Sequence, residues 1–224
     1  MKIIAHIRTD FPQKFGIPRQ SGLVESLRGT IVFEPEYRSP DAVKGMEDYD
    51  YLWLLWKFQV PEKDNWSATV KPPRLGGNTA VGVFATRSPF RPNNLGLSSV
   101  RLLGVENTKE FGTVLHVAGA DLMDGTPIFD IKPYIPYGDS HPDATGGFTD
   151  HAGDFLLNVD FPEELLHKLP LDKQAAAIGV LSHDPRPSYQ KQAERIYGLN
   201  FAGFDIRFRV EEKTLTVLEV SQAI

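Results

Sequence analysis

The 224 residues contain no cysteine. That excludes disulfide staples, thiolate metal sites and cysteine nucleophiles together, and it suits a reducing compartment. No uninterrupted apolar run approaches the roughly 18 residues of a membrane-spanning helix. The opening MKIIAHIRTD brings in charge too early for the apolar centre of a signal peptide, so a cytoplasmic protein without a membrane partner is expected. Positive charge is in deficit: 24 Lys and Arg against 29 Asp and Glu leave −5, which argues against a general nucleic-acid coat but leaves room for a local basic patch. GxxxxGK[ST] and GxSxG are both missing, and with them the P-loop and the hydrolase elbow. The Gly-rich LGGN at Leu75–Asn78 precedes a candidate strand instead of following one, which speaks against a Rossmann nucleotide site. His141 and His151 have Asp143, Asp150 and Asp154 nearby, but this spacing matches no standard ligand pattern and no metal is expected.

What is present suits a soluble globular chain, 41% hydrophobic and 24% charged, long enough for one large domain or for one with a small companion. Short runs rich in Val, Ile, Leu and aromatics, bounded by Gly, Pro, Asp or Asn, predict strands over 2–8, 29–34, 50–58, 80–86, 98–105, 112–118 and 128–131. Short strands without long intervening helices favour a β-barrel or sandwich over a βαβ repeat. A helical turn is expected over 41–46, capped by Ser39 or Asp41. After Gly147 the pattern changes. Helices are expected over 162–169, 172–181 and 190–197, then a half-buried strand over 204–210 and a returning strand over 214–220. The polar stretch 139–155 marks the boundary. The expectation is therefore a mainly β N-terminal domain, residues 1–140, and a small α+β C-terminal domain, residues 141–224.

Four segments crowd charged groups between prolines and glycines. TRSPFRPNNLGLS sets Arg87 and Arg91 either side of Pro89, which stiffens a loop presenting two guanidinium forks suited to carboxylate or phosphate. ADLMDGTPIFDIKPYIPY carries Asp121, Asp124 and Asp130, able to hold a ribose, a cation or an ammonium, followed by Lys132, Tyr134 and Tyr137. HDPRPSY flanks Pro185 with Asp184 and Arg186, and FGIPRQSGL holds Arg19 and Gln20 between Pro18 and Gly22. Each has a plainer reading: a connecting loop with solvated arginines, aspartates solvating a hairpin turn, an Asp capping the next helix.

PRQSGL, PPRLGGN, ATRSPFRPNNLG, DLMDGTPIFDIKPYIPY and DPRPSY, in that order, resemble the TrmO (TsaA-like) tRNA N6-threonylcarbamoyladenosine methyltransferase family over about 7–210. One departure is Asn94, where the family often has proline. The resemblance implies a single-sheet β-barrel, not a Rossmann fold, with a small C-terminal domain and homodimeric assembly. It implies S-adenosyl-L-methionine as cofactor, the tRNA anticodon loop as partner, and methylation of N6 of threonylcarbamoyladenosine at position 37.

On that footing Arg87 and Arg91 are expected to engage the cofactor carboxylate or tRNA phosphates, with Asn93, Leu95 and Gly96 lining the cofactor pocket and Leu122, Asp124, Gly125 and Ile131 on the facing turn and walls. Arg19, Gln20, Lys132, Arg186 and Tyr189 are the substrate-binding candidates, a cation among them meeting the threonyl carboxylate. The acceptor nitrogen is a poor nucleophile, so some group should take its proton. Asp184, Asp139 and Tyr134 are the candidates in that order, with the substrate's own carboxylate as the alternative. Two rival readings stay open, a small-molecule methyltransferase on the same barrel and a non-catalytic RNA-binding barrel. YLWLLWKF reads as core and so gives the latter little support.

Overall fold

The computed structural model describes residues 1–59, 66–150, 156–186 and 195–223. In chain order the strands are β1 Ala5–Thr9, β2 Arg28–Phe33, β3 Tyr51–Lys57, β4 Thr69–Val70, β5 Val81–Gly82, β6 Leu95–Thr108, β7 Gly112–Ala118, β8 Thr126–Pro133, β9 Asn158–Asp160, β10 Tyr197–Phe201, β11 Phe204–Glu211 and β12 Thr214–Gln222. Helices α1 Pro136–Asp139, α2 Glu163–Leu166 and α3 Leu171–Ser182 join them.

Six strands close a barrel in the order β1-β2-β7-β6-β3-β8. Its inside is fixed by period-two alternation. Ala5, Ile7, Ile31, Leu52, Leu54, Trp56, Val100, Leu115, Val117 and Ile128 point inward and are buried, as pleated strands with one dry face require. The alternation also divides YLWLLWKF. Leu52, Leu54 and Trp56 are core, whereas Tyr51 is exposed and Trp53 half-buried on the outer wall. Most expected strands appear within a few residues of their predicted ends. The exception is 80–86, where only Val81–Gly82 is strand and Val83–Ala85 coils into a 3₁₀ turn. The turn expected at 41–46 is also 3₁₀, over Pro40–Val43, with the Ser39 hydroxyl accepting the Asp41 N–H.

The C-terminal sheet runs β10-β11-β12-β9, with β9 parallel to β12 and the other neighbours antiparallel. α3 begins directly after Pro170 and turns Ala176, Ala177, Val180 and Leu181 into a second core with Leu199, Phe201, Ile206, Phe208, Leu215 and Val217. Of the helix expected over 190–197, only its end is described, and Tyr197 there opens a strand. This core does not respect the sequence boundary. Phe11, Val24 and Leu27, from the loop between β1 and β2, are buried in it, Phe11 packing on Phe201 at 5.3 Å between ring centroids. Asp10 of the same loop pairs with Lys173 at 2.7 Å. Among the described residues, no helix is long and apolar enough to cross a membrane.

Candidate active site

Strand direction decides which loops meet. All barrel neighbours are antiparallel, with Thr9 opposite Gly29, Arg28 opposite Ala118, Lys57 opposite Leu95 and Ile7 opposite Thr126. The loops 10–27, 58–94 and 119–125 therefore leave from the same end of the barrel. These loops carry PRQSGL, TRSPFRPNN and ADLMDG, three of the four charged segments.

Direct contacts tie the loops together. The Gly22 N–H donates to the Gly119 carbonyl at 2.8 Å, and the Gly119 N–H donates to that of Leu27 at 3.1 Å. Gly119 has φ +72°, and a Cβ there would lie 3.2 Å from the Gly22 backbone, so only glycine lets the two loops clip this closely. Arg87 donates from its guanidinium to the Gln20 side chain, linking the first two loops. The fourth segment arrives with the C-terminal domain. His183, capping α3, meets the Leu23 carbonyl through its ring at 3.1 Å. Residues 19–23 are thus held between the barrel mouth and the end of α3.

At this mouth the structure shows a polar chain that residue spacing did not reveal. The Trp56 indole donates to Ser98 Oγ at 3.0 Å, and Ser98 donates to Asp121 Oδ1 at 2.6 Å. Ser98 is fully buried inside a strand. Burial pushes the Asp121 carboxyl above its ordinary value, while the Ser98 hydroxyl, backbone N–H groups and the Arg87 charge pull the other way without prevailing. No sequence signal distinguishes Asp121 from Asp124 or Asp130; burial does.

The two arginines have different tasks. Arg91 donates to the Val83 and Thr86 carbonyls at 3.1 and 2.7 Å and lies over the Phe84 ring at 5.7 Å, so it braces its own loop. Arg87 faces Gln20 and the Asp121 carboxylate. Asn93 is exposed and Leu95 half-buried at the start of β6. Gly96 admits its close neighbour, but that neighbour is the Trp56 ring, 2.3 Å from where a Cβ would sit. On the facing turn Leu122 is buried in the barrel core and its carbonyl accepts from the Thr9 hydroxyl. Asp124 accepts the Thr9 N–H through Oδ1 at 2.9 Å, and the Gly125 N–H donates to Ile7, which closes the turn. Arg19 is exposed and Gln20 half-buried at the mouth.

The remaining candidates separate. Leu52 opposite Pro133 puts the end of β8 at the far end of the barrel from Arg87 in the same protomer. Ile131 packs there against the barrel core, and Lys132 pairs with Asp130 at 3.1 Å. Tyr134 lies between the rings of Tyr51 and Trp53. Asp139 Oδ2 accepts the Ile135 N–H and the Trp53 indole N–H at 2.8 and 3.0 Å, which holds its carboxyl below the ordinary value. A carboxylate so satisfied is a weaker base. At Asp184, Arg186 grips both oxygens at 2.8 and 2.9 Å, and that grip raises the Arg186 pKa. Tyr189 and His151 lie outside the described residues. Among the described residues, no group of three or more His, Cys, Asp or Glu could hold a metal ion.

Comparison with known proteins shows the family and the fold. Residues 6–140 match the tRNA-methyltransferase O N-terminal domain family, and residues 155–223 match the TrmO C-terminal domain family. The tRNA (adenine(37)-N6)-methyltransferase of Escherichia coli (strain K12) is 41% identical over 217 residues, spanning 93% of this chain and 92% of its own. A Pyrococcus abyssi protein named "Probable S-adenosyl-L-methionine-binding protein" is 32% identical over 133 residues, 59% of this chain and 66% of its own. A crystal structure of TrmO from Pseudomonas aeruginosa superposes with a TM-score of 0.77 at 33% identity, covering 98% of this chain and 97% of that one.

Proposed function

The chain belongs to the TrmO family of tRNA methyltransferases, and we propose that it methylates N6 of threonylcarbamoyladenosine at position 37 in the tRNA anticodon loop. It is a tRNA (adenine-N6)-methyltransferase dependent on S-adenosylmethionine. The observation that carries the finer reading is the meeting of three charged loops at one barrel mouth, with Arg87, Gln20 and Asp121 gathered there.

The residues at the mouth fit the cofactor. Its amino-acid end is a zwitterion and needs a cation and a carboxylate in one place. Arg87 offers the first, and Asp124, with one oxygen outside the Thr9 contact, offers the second. The Gly22–Gly119 clip keeps two backbones free of side chains where a ligand must come close. When bound, the cofactor supplies an activated methyl group, so positioning is the main task left to the protein, with donor and acceptor aligned at about 3 to 3.5 Å. Arg19 and Gln20 stand on the exposed rim where the anticodon loop would lie. The buried Trp56–Ser98–Asp121 chain at the mouth favours catalysis over a bare RNA-binding barrel. A tRNA substrate supports a cytoplasmic enzyme. Homodimeric assembly is supported by exposed apolar side chains on the outer wall, where Tyr51, Leu97 and Leu103 are 38%, 58% and 47% exposed.

The test is incubation with radiolabelled S-adenosylmethionine and tRNA with or without the threonylcarbamoyl group, followed by nucleoside analysis. Label is expected in the N6-methylated nucleoside of modified tRNA. Equal labelling of unmodified tRNA would remove the threonylcarbamoyl specificity, and label in small molecules alone would favour the small-molecule reading. Sedimentation equilibrium of the same preparation reads the assembly.

A further inference from the structure

We propose that Asp121 is the catalytic base of this enzyme, taking the proton that leaves N6 as the methyl group arrives. The inference rests on the methyltransferase reading and assigns a role to a residue that the sequence left undistinguished.

The argument begins with what Asp121 touches. One carboxylate oxygen, Oδ1, accepts from Ser98, and Ser98 is itself fixed by the Trp56 indole. That chain sets the carboxylate's orientation from inside the barrel. The other groups acting on it are its own backbone N–H, the Arg87 guanidinium and the Ser21 backbone N–H. None forms the two-pronged grip that occupies Asp184. A carboxylate whose Oδ1 is fixed by Ser98, at the mouth where substrate must enter, is placed to accept a proton through Oδ2.

The chemistry balances with no further reactant. The N6–CH3 bond forms as the bond from methyl to sulfur breaks, and that electron pair stays on sulfur, which becomes a neutral thioether. The N6–H bond breaks, its pair stays on nitrogen, and the proton passes to the Asp121 carboxylate. The sulfonium charge thus leaves as a proton, which Asp121 releases to water. Burial makes Asp121 a better acceptor than an ordinary carboxylate, the opposite of Asp139, which its partners make a poorer one. Buried Ser98 and the tight Gly96–Trp56 packing behind it are otherwise unexplained features of a barrel core.

Burial also sets a stability signature. The pKa of Asp121 is raised above its ordinary 3.8, so the native state binds this proton more tightly than the unfolded chain does. Its contribution to stability is complete below the unfolded value and is lost as pH rises through the native value. Where the carboxylate is ionised, its burial is therefore a cost to the fold, which Asp121→Asn relieves.

The experiment compares the full-length wild-type protein with Asp121→Asn and Ser98→Ala on threonylcarbamoyl-modified tRNA. Asp121→Asn is expected to lower kcat by about 100-fold or more, to keep binding of S-adenosylhomocysteine within about twofold, and to melt at a higher temperature at neutral pH without ligand. In the wild type kcat falls on the acid side as Asp121 takes up its proton. Ser98→Ala, which removes a hydrogen bond to the charged form, moves that limb to higher pH, and Asp121→Asn abolishes it. Loss of S-adenosylhomocysteine binding in Asp121→Asn would overturn the assignment and make Asp121 a cofactor ligand. A kcat within about threefold of wild type, or a limb that Ser98→Ala leaves in place, would overturn it too. Turnover of tRNA by the wild-type protein tests the underlying reading; the comparison among variants tests Asp121.

Discussion

Gly96 shows how a residue chosen for one reason proves necessary for another. Its position in TRSPFRPNNLGLS suggests a place where a ligand approaches the backbone. The approach is real, but the Trp56 ring makes it, with ring atoms 2.3 to 2.7 Å from a would-be Cβ. An added methyl must push the indole away, because the contact is with a rigid ring and not with the tip of a flexible chain. Overpacking of this kind costs about 1 to 3 kcal/mol. The displacement also takes the indole N–H off Ser98, which frees the hydroxyl that orients Asp121. Gly96→Ala is therefore expected to lower the midpoint of denaturant unfolding and, in addition, to lower kcat at temperatures where the protein is fully folded. Unchanged turnover in the folded variant would separate the packing from the chemistry.

At the scale of elements, the loop from 83 to 94 is held by its own contacts more than by its prolines. Arg91 braces it against the Val83 and Thr86 carbonyls, and Asn94 ends it at φ +46°, in the left-handed region. Proline has φ near −65° and cannot enter that region, whereas glycine enters it freely. The departure from the family's frequent proline is thus matched by a backbone turn that proline would forbid. Asn94→Pro is expected to destabilise the protein by more than about 1 kcal/mol and to weaken S-adenosylhomocysteine binding, while Asn94→Gly leaves both nearly unchanged. Thermal melts with and without that ligand decide it; equal melts for the two variants would contradict the left-handed turn.

Elements were also the most legible level in the sequence. Apolar composition between turn residues placed β7 at Gly112–Ala118, and alternation placed β11 at Phe204–Glu211, where one dry face imposes a period of two. β9, three residues long, and β10, which alternates over only five, carry too little of that pattern to stand out. The charged segments were legible as segments, since Pro and Gly punctuate them. Their meeting was not, because it depends on antiparallel register between strands far apart in the chain. The same pairing sent Tyr134 and Asp139 to the other end. In sequence Asp121 is indistinguishable from Asp124 and Asp130, because its distinction lies in burial and in a serine on another strand.

Across the whole molecule, two cores share one loop. The barrel encloses its own apolar interior, yet residues 10–27 leave its mouth and complete the C-terminal core through Phe11, Val24 and Leu27 before returning at β2. PRQSGL, which bears Gln20 opposite Arg87, is suspended between these anchors, so the site exists only when both cores are folded. Cooperative unfolding follows from that arrangement. All three tryptophans, Trp53, Trp56 and Trp66, lie in the N-terminal half of the chain, whereas α3, the longest helix among the described residues, lies in the C-terminal domain. Tryptophan fluorescence and far-ultraviolet circular dichroism therefore report on different cores, and their unfolding transitions are expected to coincide. Phe11 is 1% exposed and packs on Phe201, so Phe11→Ala should cost about 3 to 5 kcal/mol. That loss is expected to separate the two transitions, the circular dichroism change moving to lower denaturant than the fluorescence change. S-adenosylhomocysteine binding should disappear with the earlier of them, because the loop bearing Gln20 has lost its anchor. Binding that persists until the barrel itself unfolds would show that the mouth holds this loop without the second core.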